Sequence, residues 1–183
     1  FNDTATTEIY TLWHTLSPHD ALPICLEYEG DWNNRPRALA NLTRWFTRTF
    51  ERDVHWQIIN LDTPVEQWHD APILVISGAK APTFTDADIE KLRTFVHQGG
   101  SLLSIAECRG RAFDQGMRDV YKKLFPDYPL TDAPRDHPVY TAYERLGGQP
   151  AMSIVSNGAR PLAVHTNEDL TRPWQAQRHR SEK

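Results

Sequence analysis

The chain has 183 residues, 39% of them hydrophobic and 24% charged, which suits one soluble globular domain with a sizeable core and excludes collagen-like, coiled-coil and disordered classes. It holds no apolar run of the about 18 residues that a membrane-spanning helix requires. A net charge of −4 leaves no electrostatic footprint for nucleic acid, so that class of partner is not expected.

Residues 2–24 resemble the conceptual translation of a short-read sequencing adapter. Asn2 to Tyr10 are similar to its outer segment, and Thr15 to Ile24 to its inner segment with Pro18 departing. Leu12-Trp13-His14 falls where a variable index would sit. Such a segment is set aside in fold reasoning and is expected to pack poorly and to be dispensable. Residues 25–183 then form a single α/β domain, expected to be cut at both ends. Losing Asp3, Glu8 and Asp20 brings the net charge from −4 to −1. The identity of Cys25, beside the junction, is in question, so Cys108 is the one secure cysteine and no internal disulfide is expected.

In chain order, Leu26 to Tyr28 read as a strand ending at Gly30, followed by the polar loop Gly30-Asp31-Trp32-Asn33-Asn34-Arg35-Pro36. Pro36 suits the first turn of a helix reaching Glu51, with Leu39, Leu42, Trp45, Phe46 and Phe50 on one face. Val54 to Leu61 is rich in β-branched and aromatic residues and reads as a strand. Val65 and Trp68 suggest a short helical turn. Ile73-Leu74-Val75-Ile76 is a continuous apolar run without alternation, as expected for a central strand covered on both faces. Thr85 and Asp88 have capping-box spacing before the helical face Ile89, Leu92, Phe95 and Val96, which Gly99-Gly100 ends. Leu102 to Ala106 is a second buried strand, expected to lie beside Ile73–Ile76. Met117, Val120, Tyr121 and Leu124 mark a helix stopped by Pro126. Pro126 to Pro138 reads as a loop, and Met152 to Val155 and Leu162 to His165 as two later strands. This order predicts a three-layer α/β/α fold with a mostly parallel, Rossmann- or flavodoxin-like sheet.

In open parallel sheets ligands bind beyond the carboxyl ends of the strands, which directs attention to three loops. Asp31, Trp32 and Asn33 follow the first strand, Ser77 the third, and Glu107, Cys108 and Arg109 the fourth. Asp31, Trp32, Ser77, Glu107 and Cys108 are expected to converge on one cleft. The first loop could present a carboxylate, a stacking ring and an amide to a ligand, or Asp31 and Asn33 could satisfy loop N–H groups while Trp32 packs on the first helix. His137, before Pro138, reads either as a site residue or as a loop residue whose ring caps a turn. His55, His69 and His97 lack metal-ligand spacing, so no metal is expected, and without phosphate-loop or dinucleotide signatures no cofactor is either. Arg172, Arg178, Arg180 and Lys183 read as a solvated basic face.

Ala106-Glu107-Cys108-Arg109-Gly110 resembles the Gly-x-Cys-x-Gly elbow of class I glutamine amidotransferases, with Ala106 departing at the first glycine. His165 and Glu168 resemble their later His-x-Glu, with the spacing longer by one. The resemblance implies a Cys108–His165–Glu168 set in which His165 takes the thiol proton and Glu168 orients the ring. Glu107 opposes this by raising the thiol pKa, and a free cysteine also serves as a small buried hydrophobe.

Residues 26–177 resemble the domain-of-unknown-function family 4159. The motifs are Tyr28-Glu29-Gly30-Asp31-Trp32-Asn33 with Pro36-Arg37-Ala38-Leu39-Ala40-Asn41-Leu42, Phe84-Thr85-Asp86, Gly99-Gly100, and Asp136-His137-Pro138-Val139-Tyr140. The resemblance implies a class I glutamine amidotransferase-like fold without implying that activity. It also implies a domain within a longer bacterial chain, in an exported or membrane-associated context, with other domains of that chain as partners. The function expected is a ligand- or partner-binding α/β domain. The alternative is a cysteine-dependent hydrolase or amidotransferase-like enzyme using Cys108 and His165.

Overall fold

The computed structural model describes residues 21–141 and 149–176. Residues 1–20 of the adapter-like segment, and Arg178, Arg180 and Lys183 of the basic cluster, lie outside the described residues.

A seven-stranded sheet in the order β2-β1-β3-β4-β7-β6-β5 forms the middle layer. Its strands are β1 (Ala21–Glu27), β2 (His55–Asn60), β3 (Ile73–Gly78), β4 (Ser101–Ala106), β5 (Thr131–Asp132), β6 (Met152–Ser156) and β7 (Pro161–Thr166). The helices are α1 (Ala38–Phe50), α2 (Asp86–His97), α3 (Arg111–Leu124), α4 (Pro138–Thr141) and α5 (Thr171–Gln175). Two 3-10 turns, Val65–Asp70 and Glu107–Arg109, complete the described elements.

Strand alternation divides the core into two layers. Ile24, Leu26, Leu74 and Ile76 point to the face covered by α2 and α3, where they meet Leu92, Phe95, Phe113 and Met117. Cys25, Val75 and Ile105 point the other way, against Leu39 and Leu42 of α1 and Trp174 of α5. The expected three layers follow from these two faces. β3 and β4 are adjacent and parallel, with Leu74 opposite Leu102. Leu74, Ile76, Leu102 and Ile105 are all buried, as non-alternating runs require.

The sheet is parallel across β2, β1, β3, β4 and β7, and antiparallel across β7, β6 and β5. The reversal has a short-range cause. Only residues 157–160 join β6 to β7, whereas a parallel pair needs a crossover of about a dozen residues or more. Asn157 and Gly158 supply the turn: the Asn157 carboxamide oxygen accepts from the N–H groups of Ala159 and Arg160, and Gly158 takes a φ of 87°. β5 forms within the stretch expected to be a loop, and α4 starts at its last residue, Pro138.

Local signals set the helix ends. Thr85 and Asp88 form the capping box of α2, with the Asp88 N–H donating to Thr85 Oγ1 at 3.2 Å and the Thr85 N–H donating to the Asp88 carboxylate at 2.8 Å. The ring of His137 accepts the Val139 N–H at 3.1 Å, which makes it the turn cap expected. α1 starts at Ala38 rather than Pro36, because a turn closed by the Ala38 N–H on the Arg35 carbonyl precedes it. Its buried face also differs from the apolar stripe: Trp45 is exposed, while Asn41 is buried and donates to the Trp174 and Gln175 carbonyls of α5.

The first strand starts earlier than the expected Leu26. β1 begins at Ala21, and Ile24 is fully buried and pairs with Leu74 on one side and Gln57 on the other. Against β3, Pro23 and Ile24 continue the register of Cys25, which is why they extend the strand.

Candidate functional site

β1 and β3 are neighbours, but the chain leaves β1 towards β2 and returns to β3 on the other side, so the strand order reverses between them. Crevices form at such points beyond the carboxyl ends of the strands. Here the crevice is tied shut at its centre. The Asp31 carboxylate accepts the N–H groups of Ala79 at 3.1 Å and Lys80 at 3.2 Å, and the Asn34 amide at 3.1 Å. These hydrogen bonds outweigh the upward push of burial and hold the Asp31 carboxyl below its ordinary pKa. Tyr28 donates to the Ser77 carbonyl at 2.9 Å. Gly78 is required where these groups cross, since a Cβ there would come within 2.3 Å of the Tyr28 hydroxyl. Asp31 therefore joins two loops.

A second knot joins the β1 loop to the ends of β4 and β7. Arg35 Nη2 donates to the Asp169 carboxylate at 2.6 Å and lies 3.5 Å from Cys108 Sγ. The same Asp169 oxygen accepts the Cys108 N–H at 2.8 Å, while the other takes the Thr171 hydroxyl at 2.8 Å and the Arg172 N–H at 2.9 Å. Burial alone would raise Asp169, but these donors lower its pKa. Cys108 is exposed and sits at a φ of 54°, followed by Arg109 at 55°, so the strand-to-helix turn is a left-handed elbow.

Between these knots lies a cavity of about 30 Å³. Trp32, Trp56, Leu39 and Val75 form its apolar walls, and Asn33, Arg35, Ser77, Glu107 and Thr171 its polar ones. Glu107 is 1% exposed. Its Oε1 accepts the Thr171 hydroxyl at 3.3 Å, and its Oε2 has no protein partner in hydrogen-bond geometry. Burial raises its pKa, only partly offset by Asn34, Arg35, Ser77 and Thr171 nearby. Burial, with the Glu107 and Glu27 charges, also pushes the Cys25 thiol up to about 12.

The structure brings together Trp32, Asn33, Ser77 and Glu107, with Asp31 bracing the loops and Cys108 attached through Arg35 and Asp169. Arg109 and Glu168 instead line a separate recess of about 390 Å³ with Arg111, Asp114 and Asn167. The Cys108–His165–Glu168 set is not assembled. His165 is 1% exposed and in register with Ser104, four residues before Cys108. The end of β4 and a 3-10 turn separate Ser104 from Cys108, and both nitrogens of the ring are engaged by other partners. Its Nδ1 meets Ser104 Oγ at 2.6 Å and its Nε2 meets Asp114 at 2.8 Å. The Glu168 carboxylate accepts the Ala151 N–H at 3.1 Å. The sequence reading missed Arg35, Asp169 and Thr171. The strand-end rule also selects the loop after β7, and Arg35 stands in the very run that drew attention to Asp31.

Ser104, His165 and Asp114 continue inward through Tyr121, whose hydroxyl donates to Ser104 Oγ at 2.7 Å, and outward to Arg118, which donates to Asp114 at 3.0 Å. Burial lowers the His165 pKa, partly opposed by Asp114. The unfolded ring, with a pKa of about 6.5, takes a proton first on acidification. Stability from this group is therefore full above about pH 6.5 and lost as the pH falls towards the lowered folded value. Urea unfolding of the protein and of His165→Gln at pH 7.5 and 5 should show the stability gap between them narrowing in acid. A gap that widens would mean that the folded ring is the better base.

A larger recess of about 650 Å³ lies by β5 and β6, lined by Arg118, Asp132, Arg135, Tyr140, Gln149 and Met152 among others. None of the candidate site residues named from sequence lines it. No helix among the described residues is long and apolar enough to cross a membrane.

No curated protein matches the chain in sequence. Two crystal structures resemble it in fold. A ThuA-like protein from Bacteroides uniformis ATCC 8492 is 9% identical at a TM-score of 0.44, over 90% of this chain and 91% of that one. A GMP synthase subunit from Thermoplasma acidophilum is 14% identical at a TM-score of 0.38, over 86% of this chain and 90% of that one. Residues 24–181 match the sequence profile described as Domain of unknown function (DUF4159), and the chain belongs to that family.

Proposed function

We propose that this α/β domain binds a small ligand at the carboxyl edge of β1, β3 and β4. The observation that carries the reading is Glu107, a carboxyl 1% exposed that lines an apolar-walled cavity at the point where the strand order reverses. Chemical-shift mapping with a diverse fragment panel tests it. Shifts should cluster on Trp32, Asn33, Ser77 and Thr171, and a panel whose shifts cluster only elsewhere would refute it.

Nucleophilic catalysis at Cys108 is a second reading, favoured by the exposed thiol on a left-handed elbow beside a guanidinium. Against it, Asp31 and Asp169 already take the N–H groups of Ala79, Lys80 and Cys108 that could have stabilised an oxyanion. Iodoacetamide labelling against pH separates the two readings. The binding reading expects labelling at neutral pH no faster than that of an ordinary thiol, and fast labelling there would restore the enzymatic one.

A further inference from the structure

β2 is one edge of the sheet, and among the described residues no strand pairs with its outer side. An edge strand presents unpaired N–H and C=O groups, which proteins blunt by shortness, charge or proline. The opposite edge follows that rule: β5 has two residues, one of them Asp132. β2 does not. Its six residues, His55–Asn60, include no Lys, Arg, Asp, Glu, Pro or Gly, and Ile58 is left 44% exposed. An undefended edge of this length is suited to pairing with another strand, and the residues in and beside it select which.

A second copy of β2, running antiparallel, matches that pattern. Backbone groups alternate sides along a strand, and residues opposite one another in an antiparallel pair share one orientation, so a two-fold axis between identical strands passes through a residue. β2 has two central residues, Gln57 and Ile58. An axis at Gln57 sets Trp56 opposite Ile58 of the second copy, an aromatic and β-branched pair on one face, and brings the exposed Arg52 towards the exposed Asp62. An axis at Ile58 sets Trp56 against Asn60 and Val54 against Asp62. Of the two, the first matches apolar with apolar and cation with anion, and symmetry makes each match twice. Neither Arg52 nor Asp62 is in an ion pair among the described residues. Trp56 and Ile58 also line the cavity, so the seam runs along its β2 side.

We propose that β2 pairs with β2 of a second copy of this chain, antiparallel about Gln57, so that one sheet continues across a two-fold dimer. A six-residue seam is about 20 Å long, short for a permanent dimer, so the association is read from its concentration dependence. Sedimentation equilibrium of the full chain from about 10 µM to about 1 mM should show monomer passing to dimer, with hydrogen exchange at the amides of residues 55–60 slowing in step. Arg52→Glu and Asp62→Arg each turn both charge pairs repulsive and should weaken dimerisation by about tenfold. The double variant restores the pairs in reverse and should recover it. Both positions are exposed and lie outside the strand, so the swaps leave the core untouched. A chain that stays monomeric at every concentration overturns the proposal, and slow exchange at 55–60 in that monomer would assign the edge to another segment of the same chain. A dimer indifferent to the single swaps, or one that the double variant fails to recover, is built on another surface or register and overturns it as well.

Discussion

Leu74→Ala should destabilise the protein by about 2–5 kcal/mol, the range for large-to-small changes in a well-packed core, measured by equilibrium urea unfolding. Leu74 is fully buried on β3, with β1 on one side and β4 on the other. It belongs to the cluster of Trp68, Leu92 and Phe95, so the space left by truncation is enclosed by the sheet and the α2 side of the core. The site has little freedom to collapse, which places the expectation in the upper half of that range. Ile58 on the edge strand β2 is 44% exposed, and Ile58→Ala should stay within about 0.5 kcal/mol, the ordinary size of a surface change. Similar losses at the two positions would refute the central placement of β3.

Two truncations should separate the strand from the segment before it. Deleting residues 1–20 should change the melting temperature little, as the adapter resemblance implies, because such a segment was never selected to bury a face. Deleting residues 1–24 should cost far more, since it removes Ile24 and the pairing of Pro23 and Ile24 with Ile73 and Leu74. Losing a buried isoleucine alone is worth about 2–5 kcal/mol, or roughly 4–20 °C for a chain of this size. Equal melting temperatures for the two truncated chains would show that β1 does not need these residues.

The positions of β3, β4 and the main helices were legible because their signals are short-range. Ile73–Ile76 and Leu102–Ala106 lack alternation, which only a doubly covered strand tolerates. Thr85 with Asp88 names a helix start by the chemistry of its own backbone. The antiparallel β6–β7 turn has a local signal too, in Asn157-Gly158. β5, with two residues, has no periodicity to read and exists because β6 offers it an edge.

The loops facing the carboxyl edge followed from topology, and with them Trp32, Asn33, Ser77 and Glu107. What each side chain does there did not follow. Asp31 braces two loops because Gly78 lets the β3 loop approach it, a contact between residues far apart in sequence. His165 was separated from Cys108 by register: pairing with Ser104 turns its ring towards α3, where Asp114 receives it. The sequence by itself determined the layers, since hydrophobic periodicity is a property of neighbouring residues. Only the tertiary structure decided the cavity, because sheet order and strand register bring Arg35, Glu107 and Thr171 to it, and neither is encoded in any local pattern.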